Sequence, residues 1–431
     1  MSRSDWIAPL WLVAAVGLCG CASDRSANVA SPSKPRSEAN ATRTVSPDAP
    51  EDLSALLAAA LARTKIPGVA ALVLRGDRVI AQGVAGVRKL GAAEPVTIED
   101  EFEICSCAKA MTATLVASFV DEGRLSWDTS LAEIFGDSVS HLDPAWRKVT
   151  VRQVLEHRAG LDDHLVLLAR TVLFSHGDPT ALRRVLAAKI LARPPDFPPG
   201  QKFFYESAGY VIIGAALEKI SGRPWDELMR ARLFEPLGLA SAGFGPPGTP
   251  GKLDQPWGHG PHWLFYFPLP GASGVPFDPG SPHADFPAVG APAGLVHVAL
   301  GDWAKFVALH LRGDPANPHR AVTLLKPETF AELHGVGADG EYAGGWFTGR
   351  RPWAKGARPG DTGCVFFHQG DNTRWNCVVW VAPEIDFAIL IASNRTAMWQ
   401  PLDEIAGKLV ASYARPAAAE EPGKSARSDA R

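Results

Sequence analysis

The chain of 431 residues has no long basic run. Its 43 Lys and Arg stand against 46 Asp and Glu, for a net charge near −3. A protein that grips nucleic acid by its phosphates needs a cationic face, so the composition argues against that class. No period of the solenoid kind repeats along the sequence, and with 46% hydrophobic and 21% charged residues it is neither disordered nor collagen-like overall. No apolar run reaches the roughly 20 residues of a membrane-spanning helix. The motifs HExxH, GxxxxGK[ST], the EF-hand loop and GxSxG are absent. The last absence argues against the nucleophile elbow of α/β-hydrolases. Cysteine is sparse, six residues in all, with no CxxC-type pairs from which to build a zinc site. No metal and no organic cofactor is expected.

The beginning of the sequence carries an address. Arg3 is followed by a 13-residue apolar stretch from Ile7 to Cys19, too short to span a bilayer. It ends Leu18-Cys19-Gly20-Cys21, which is similar to a bacterial lipoprotein box: Leu at −3, a small residue at −1, Cys at +1. Residues 1–20 are therefore expected to be a signal peptide and Cys21 the lipidated new N-terminus. That implies a lipoprotein anchored to a membrane on its extracytoplasmic, periplasmic side. Residues 21–50 are Ser-, Ala-, Pro- and Asn-rich without apolar period, as in a tether. Residues 51–415 form the expected catalytic domain, and 416–431 a disordered tail. Cys105, Cys107, Cys364 and Cys377 remain, and in an oxidising compartment Cys364 and Cys377 could pair.

Within the domain, Asp52–Thr64 has leucine and alanine at helical spacing. Val69–Leu74 and Val79–Val84 are strand-like runs joined by Arg75-Gly76-Asp77-Arg78, a hairpin signal. Helical stretches follow at Lys109–Glu122, Val151–His157, Ala181–Ala192 and Tyr210–Ile220, the second opened by the Thr150/Gln153 capping box. Asn376–Val381 and Asp386–Ala392 are again strands, and Leu402–Tyr413 a closing helix. Strands at both ends with helices between predict an α/β (α+β) sandwich. Its mostly antiparallel sheet is built from both chain ends, flanked by helices, with an inserted all-helical subdomain.

Residues 245–293 stand apart. Twelve Pro and nine Gly exclude regular structure over most of the segment, yet it holds Trp257, Trp263, Phe265, Tyr266, Phe267, Phe277 and Phe286. Such a loop serves either as a wall of a site or as a surface insertion packed on its own aromatics. GxGxxG at Gly243–Gly248 and Gly335–Gly340 lacks the preceding strand and following helix of a dinucleotide site.

Ser106-Cys107-Ala108-Lys109 is an SxxK, a pattern also met by chance at Ser31–Lys34. Context separates the two. Ser106 sits where the strand-like Glu101–Cys105 gives way to a helix with Met111, Leu115 and Phe119 on one stripe. A serine there has free backbone N–H groups and a positive dipole end beside its oxygen. Lys109 lies one turn on, and burial would lower its pKa and let it take the serine proton.

With Tyr205-Glu206-Ser207 and His368-Gln369-Gly370 following in order, the chain resembles the serine β-lactamase-related hydrolases. That group joins class C β-lactamases, penicillin-binding DD-peptidases and related esterases. Its pattern is SxxK, then Tyr-x-Asn, then Lys-Thr-Gly or His-x-Gly on a late strand. Leu155–Leu161, Pro199-Gly200, Gly209-Tyr210, Ala293–Leu295, Asp302–Phe306 and Val378–Pro383 also fit, so the resemblance covers about residues 52–413. It implies Ser106 as the acylated nucleophile, with Lys109 and Tyr205 sharing general-base and proton-relay work. The backbone N–H groups of Ser106 and Asp371, the residue after Gly370, would hold the oxyanion. Substrate would meet Ser207, His368, Gly370 and Asp371.

Three departures bear on substrate. Ser207 replaces the usual Asn, His368 replaces the carboxylate-binding lysine, and Asp371 adds a carboxylate beside the expected oxyanion donor. Together they point to an esterase-like member acting on a small-molecule ester or amide. The alternatives are a DD-peptidase or β-lactamase, and a tethered binding protein without turnover.

Overall fold

The structure, a computed structural model, describes residues 49–162, 177–261, 274–321, 324–335, 340–355 and 362–414. The predicted signal, Cys21, most of the tether and the tail lie outside the described residues, as do Trp263, Phe265, Tyr266 and Phe267.

Eight strands make the main sheet. From the first part of the chain come β1 (Glu51–Asp52), β2 (Gly68–Arg75) and β3 (Arg78–Gly86). From the last part come β9 (Tyr342–Ala343), β10 (Trp346–Arg351), β11 (Gly363–Asp371), β12 (Asn376–Ala382) and β13 (Phe387–Ser393). The order is β1-β3-β2-β13-β12-β11-β10-β9. Every neighbouring pair in it is antiparallel except β1 with β3. The sheet is thus stitched from both ends of the domain at β2–β13, as the sequence predicts. The β2–β3 turn pairs Arg75 with Arg78. Between these halves lie β4 (Glu101–Glu103), β5 (Gly243–Phe244) and β8 (Val296–Ala299), a small second sheet, and the hairpin β6 (Gly258–Gly260) with β7 (Val275–Phe277).

Ten helices matter here: α1 (Ser54–Leu61), α2 (Ala108–Asp121), α3 (Leu131–Phe135), α4 (Val151–Leu155), α5 (Pro179–Leu191), α6 (Ala208–Ser221), α7 (Trp225–Met229), α8 (Leu300–Gly313), α9 (Pro327–His334) and α10 (Trp399–Tyr413). The Thr150/Gln153 capping box opens α4, and Ser130 with Glu133 makes a second one at α3. Side chains of a strand alternate between faces, and both faces of the central strands are covered. Val69, Ala71 and Val73 of β2 with Ile389 and Ile391 of β13 pack on α1 and α10. Ala70, Leu72 and Leu74 with Ala388 and Leu390 pack into the larger core that contains α2 and α6. This is why β2 and β13 read as continuous apolar runs. Among the described residues no helix is long and apolar enough to cross a membrane.

The stripe expected on α2, Met111, Leu115 and Phe119, is buried, and the burial extends beyond it. Residues 108–117 are buried all round, because the helix runs between the sheet and the helical layer and has no solvent face along that length.

Candidate active site

The chain leaves β4, takes a left-handed backbone at Cys105 (φ 47°), and enters a 3₁₀ turn, Cys105–Cys107, that runs into α2. A non-glycine residue rarely holds that conformation. Here it turns the strand sharply into the helix and leaves Ser106 at the corner, only partly buried, between buried Cys105 and Cys107. The corner is held from two sides by glycines that cannot be enlarged. A Cβ on Gly370 of β11 would come within 2.5 Å of the Ile104 carbonyl and 2.9 Å of Cys105 Cβ. A Cβ on Gly345 (φ 89°) would come within 2.4 Å of the Ala110 backbone, one residue past Lys109. Strand β11 and the turn before β10 therefore lie directly against the nucleophile turn.

Lys109 is fully buried on the first turn of α2. Its Nζ is 3.1 Å from Ser106 Oγ, 3.4 Å from Ser207 Oγ and 2.8 Å from the Ala293 carbonyl, and lies 5.1 Å from the centre of the Tyr205 ring. Burial holds the Tyr205 phenol well above the usual range, although the neighbouring Ser106 hydroxyl pulls it the other way. Ser207 sits just before α6, which brings Tyr205 and Ser207 to the site together. Ser106, Lys109, Tyr205 and Ser207, spread over a hundred residues of sequence, thus meet around one hydroxyl.

His368 on β11 is buried, and its ring lies 6.0 Å from that of Tyr205. Its Nδ1 is 2.7 Å from the Gln369 carbonyl, so Nδ1 carries the proton. Nε2, 3.1 Å from Tyr342 Oη, then accepts from the phenol. Burial, and secondly the Lys109 charge, lower its pKa to about 3, and the ring is neutral throughout the working range. The carboxylate that Asp371 adds beside the expected oxyanion donor has partners of its own. Its Oδ1 accepts from the Thr373 amide at 2.8 Å and the Thr396 hydroxyl at 2.6 Å, and its Oδ2 from the Ala397 amide at 2.8 Å. The side chain is turned away from Ser106. Burial raises its pKa to about 6 against those three hydrogen bonds.

Three parts of the site were not assigned roles from the sequence. Tyr342 holds His368. His157 in the Leu155–Leu161 run stacks among Tyr205, Tyr210 and Tyr342 at 4.5, 5.4 and 4.6 Å, with a left-handed backbone (φ 57°). Glu206 caps α6 through Gly209 N at 2.6 Å and lies 3.4 Å from His157 Nδ1. The scarcity of tyrosine is the signal that could have found the first: of five in the chain, Tyr205, Tyr210 and Tyr342 converge here. Beyond them Phe347 stacks on Tyr205 at 5.6 Å and faces Phe203 at 6.2 Å, giving the site a part-exposed aromatic side.

All four described cysteines are free, and the expected pairing is corrected. Gly370 pairs with Cys377 in the β11–β12 register, so Cys364 lies six rungs from Cys377. At the rise of a strand that is about 20 Å, far beyond a disulfide. Cys377 instead has its sulfur 3.4 Å from that of Cys107, against the nucleophile turn.

A serine at the corner between sheet and helical layer, with a buried lysine one turn on and a tyrosine from the helical layer, is the arrangement of active-site-serine hydrolases. Comparison with known proteins agrees. The family profile described as Beta-lactamase matches residues 53–412, and the chain belongs to that family of serine β-lactamase-related hydrolases. It is 36% identical over 175 residues to penicillin-binding protein 4 of Amycolatopsis lactamdurans, covering 40% of this chain and 44% of that protein. It is 27% identical over 171 residues to lovastatin esterase of Penicillium rubens, covering 36% and 42%. These alignments span less than half of either relative. The octameric penicillin-binding protein homologue from Pyrococcus abyssi shares the fold, with TM-score 0.63 at 20% identity over 82% of this chain and 76% of that one.

Proposed function

We propose that the protein hydrolyses uncharged carboxylic esters through a covalent acyl-enzyme on Ser106, as a carboxylesterase-like member of its family. The observation that carries the reading is Lys109 Nζ at 3.1 Å from Ser106 Oγ and 5.1 Å from the centre of the Tyr205 ring. In acylation Lys109, as the neutral amine, takes the Ser106 proton, with the Tyr205 phenol relaying it, as Oγ attacks the ester carbonyl. The backbone N–H groups of Ser106 and Asp371 hold the oxyanion, each such donor being worth about 10²–10³ in rate. The same pair returns the proton to the leaving alcohol, and water then releases the acid by the reverse path.

The substrate side follows from charge and shape. His368 is neutral and occupied by Tyr342, so it offers no fixed cation to a substrate carboxylate. Ser207 presents a hydroxyl already near Lys109 in place of an amide. Phe203, Tyr205 and Phe347 offer an apolar side to an acyl or alcohol group. Neutral short-chain aryl esters are therefore expected to be cleaved, and lactams and D-Ala-D-Ala ends poorly. The test compares kcat/KM on p-nitrophenyl butyrate with that on nitrocefin and a D-Ala-D-Ala peptide. Activated esters are intrinsically easy, so the lactam decides. Nitrocefin turnover at about 10⁴ M⁻¹s⁻¹ or above would replace this reading with a lactamase.

We also propose that the enzyme works tethered to a membrane through lipidated Cys21, on the sequence of residues 18–21 and the polar tether after it. One lipidated cysteine plus a tether gives peripheral attachment. Metabolic palmitate should label the wild type, and Cys21→Ser should lose the label and become soluble. Label that persists in Cys21→Ser would contradict this.

A further inference from the structure

Away from the Ser–Lys–Tyr group, buried Glu103 and Asn372 meet part-buried Asp285, and none has a role in the chemistry above. Glu103 is fully buried on β4, three residues before Ser106. Asp285 comes from the Pro- and Gly-rich loop, and Asn372 from the β11–β12 turn next to Asp371. The Asn372 amide donates to Glu103 Oε2 and, at 3.0 Å, to Asp285 Oδ1. Asn372 Oδ1 accepts the Arg374 and Trp375 amides, which fixes the side chain in the turn. The remaining oxygens, Glu103 Oε1 and Asp285 Oδ2, are both buried, and neither meets an N–H or O–H donor of the protein. Yet the two carboxyls are held together on the one Asn372 amide nitrogen, and each acts on the other's charge. Two carboxylates cannot bond; a carboxylic acid and a carboxylate can, through one proton.

We propose that Glu103 and Asp285 share one proton and act as a positioning pair, latching loop residues 283–286 to the strand that delivers Ser106. Loss of that proton to water leaves two buried carboxylates facing each other, and the latch opens.

The surroundings support the pair being held as acid and anion. Burial is the main cause that raises both groups, Asp285 to about 7 and Glu103 well above the carboxylate range, so the pair keeps at least one proton near neutrality. From the turn, the Arg374 cation acts on Asp285, and its Nε donates to the His283 carbonyl at 2.9 Å, a second fastening of the same segment. Cys105 in the nucleophile turn faces Glu103 as a thiol, while Cys377 on β12, its pKa brought down to about 6 against burial by hydrogen bonds from Cys105 and Cys107, adds negative charge that raises Glu103 further. On β8, His297 stands opposite Glu103 in the register but lies 3.6 Å from Glu101, and burial lowers its pKa. Phe286 leaves the latch to pack against the main core, so the segment borders the site's own strands. A folded-state pKa raised above the unfolded value stabilises below the unfolded value, and that contribution is lost as pH rises through the folded one. The latch is thus closed at lower pH and opens as rising pH removes the last proton of the pair.

The test is hydrogen exchange of the 283–287 segment, corrected for intrinsic rate, at about pH 6 and about pH 9. Wild-type protection should fall about tenfold or more between them. In Glu103→Gln the amide donates permanently to Asp285, so protection should be the same at both pH values. Asp285→Asn, donating the other way, should behave alike and serves if the first variant folds poorly. Asp371 and Cys377 titrate in every variant and cancel in the comparison. Unchanged wild-type protection, or a pH-dependent loss that persists in both amide variants, would overturn the proposal. This readout needs no turnover. The catalytic consequence does rest on the ester reading: KM of the wild type should rise with pH more than that of Glu103→Gln, while kcat moves alike in both. A common KM profile would confine the pair to holding the loop and refute its positioning role.

Discussion

Ser106→Ala is expected to lower ester turnover by about 10⁴ or more, with the fold unchanged. The hydroxyl is the point at which Lys109 and Tyr205 meet, and no other serine has a buried amine at 3.1 Å among the hydrogen bonds of the described residues. Ser106 is part-exposed and its hydroxyl packs no core, so alanine removes one oxygen and leaves little cavity. Thermal melting should shift little. Steady-state hydrolysis of p-nitrophenyl butyrate, with a melt on the same samples, checks both halves. Near-wild-type turnover in the variant would move the chemistry elsewhere.

Lys109→Met carries the second-largest expected effect, a loss of about 10²–10⁴ in the acylation rate, the range of a positioned general base. Methionine fills much the same volume in the buried site and removes only the amine. Replacing a buried charge by an apolar group of similar size is often neutral for folding. The Ala293 carbonyl loses its 2.8 Å donor, a cost of about 1–3 kcal/mol. Stopped-flow acylation separates this from a deacylation defect. Neither neighbouring imidazole can substitute. His368 Nε2 is engaged by Tyr342, and His157 is buried, with burial and the Lys109 charge holding its pKa well below the usual value. Acylation at the wild-type rate would remove Lys109 from the base role.

Much of this site was readable in one dimension, because its signals are local. The Arg75–Arg78 turn between two apolar runs gave the hairpin, Thr150 with Gln153 gave a helix start, and Ser106 with Lys109 share a helical turn. The sheet's union of both chain ends followed from where strand-like runs lie. What could not be read depends on packing between distant segments. Gly345 is one of 41 glycines until α2 lies against it. Tyr342 gains meaning only when β9 brings it to His368. The carboxylate of Asp371 is harmless because Thr396 and Ala397, beyond β13, take hold of it. Cys377 was weighed against Cys364 for want of the β11–β12 register, which places it on Cys107 instead. Glu103 and Asp285 are 182 residues apart and belong to different elements.

The central claim is that Ser106 is the acylated nucleophile, and covalent labelling tests it most directly. The folded protein is treated with a fluorophosphonate, digested and mapped by mass spectrometry. The label is expected on Ser106 alone, and Lys109→Met should slow its attachment. A label on another serine, or none on a protein that hydrolyses esters, would contradict the account.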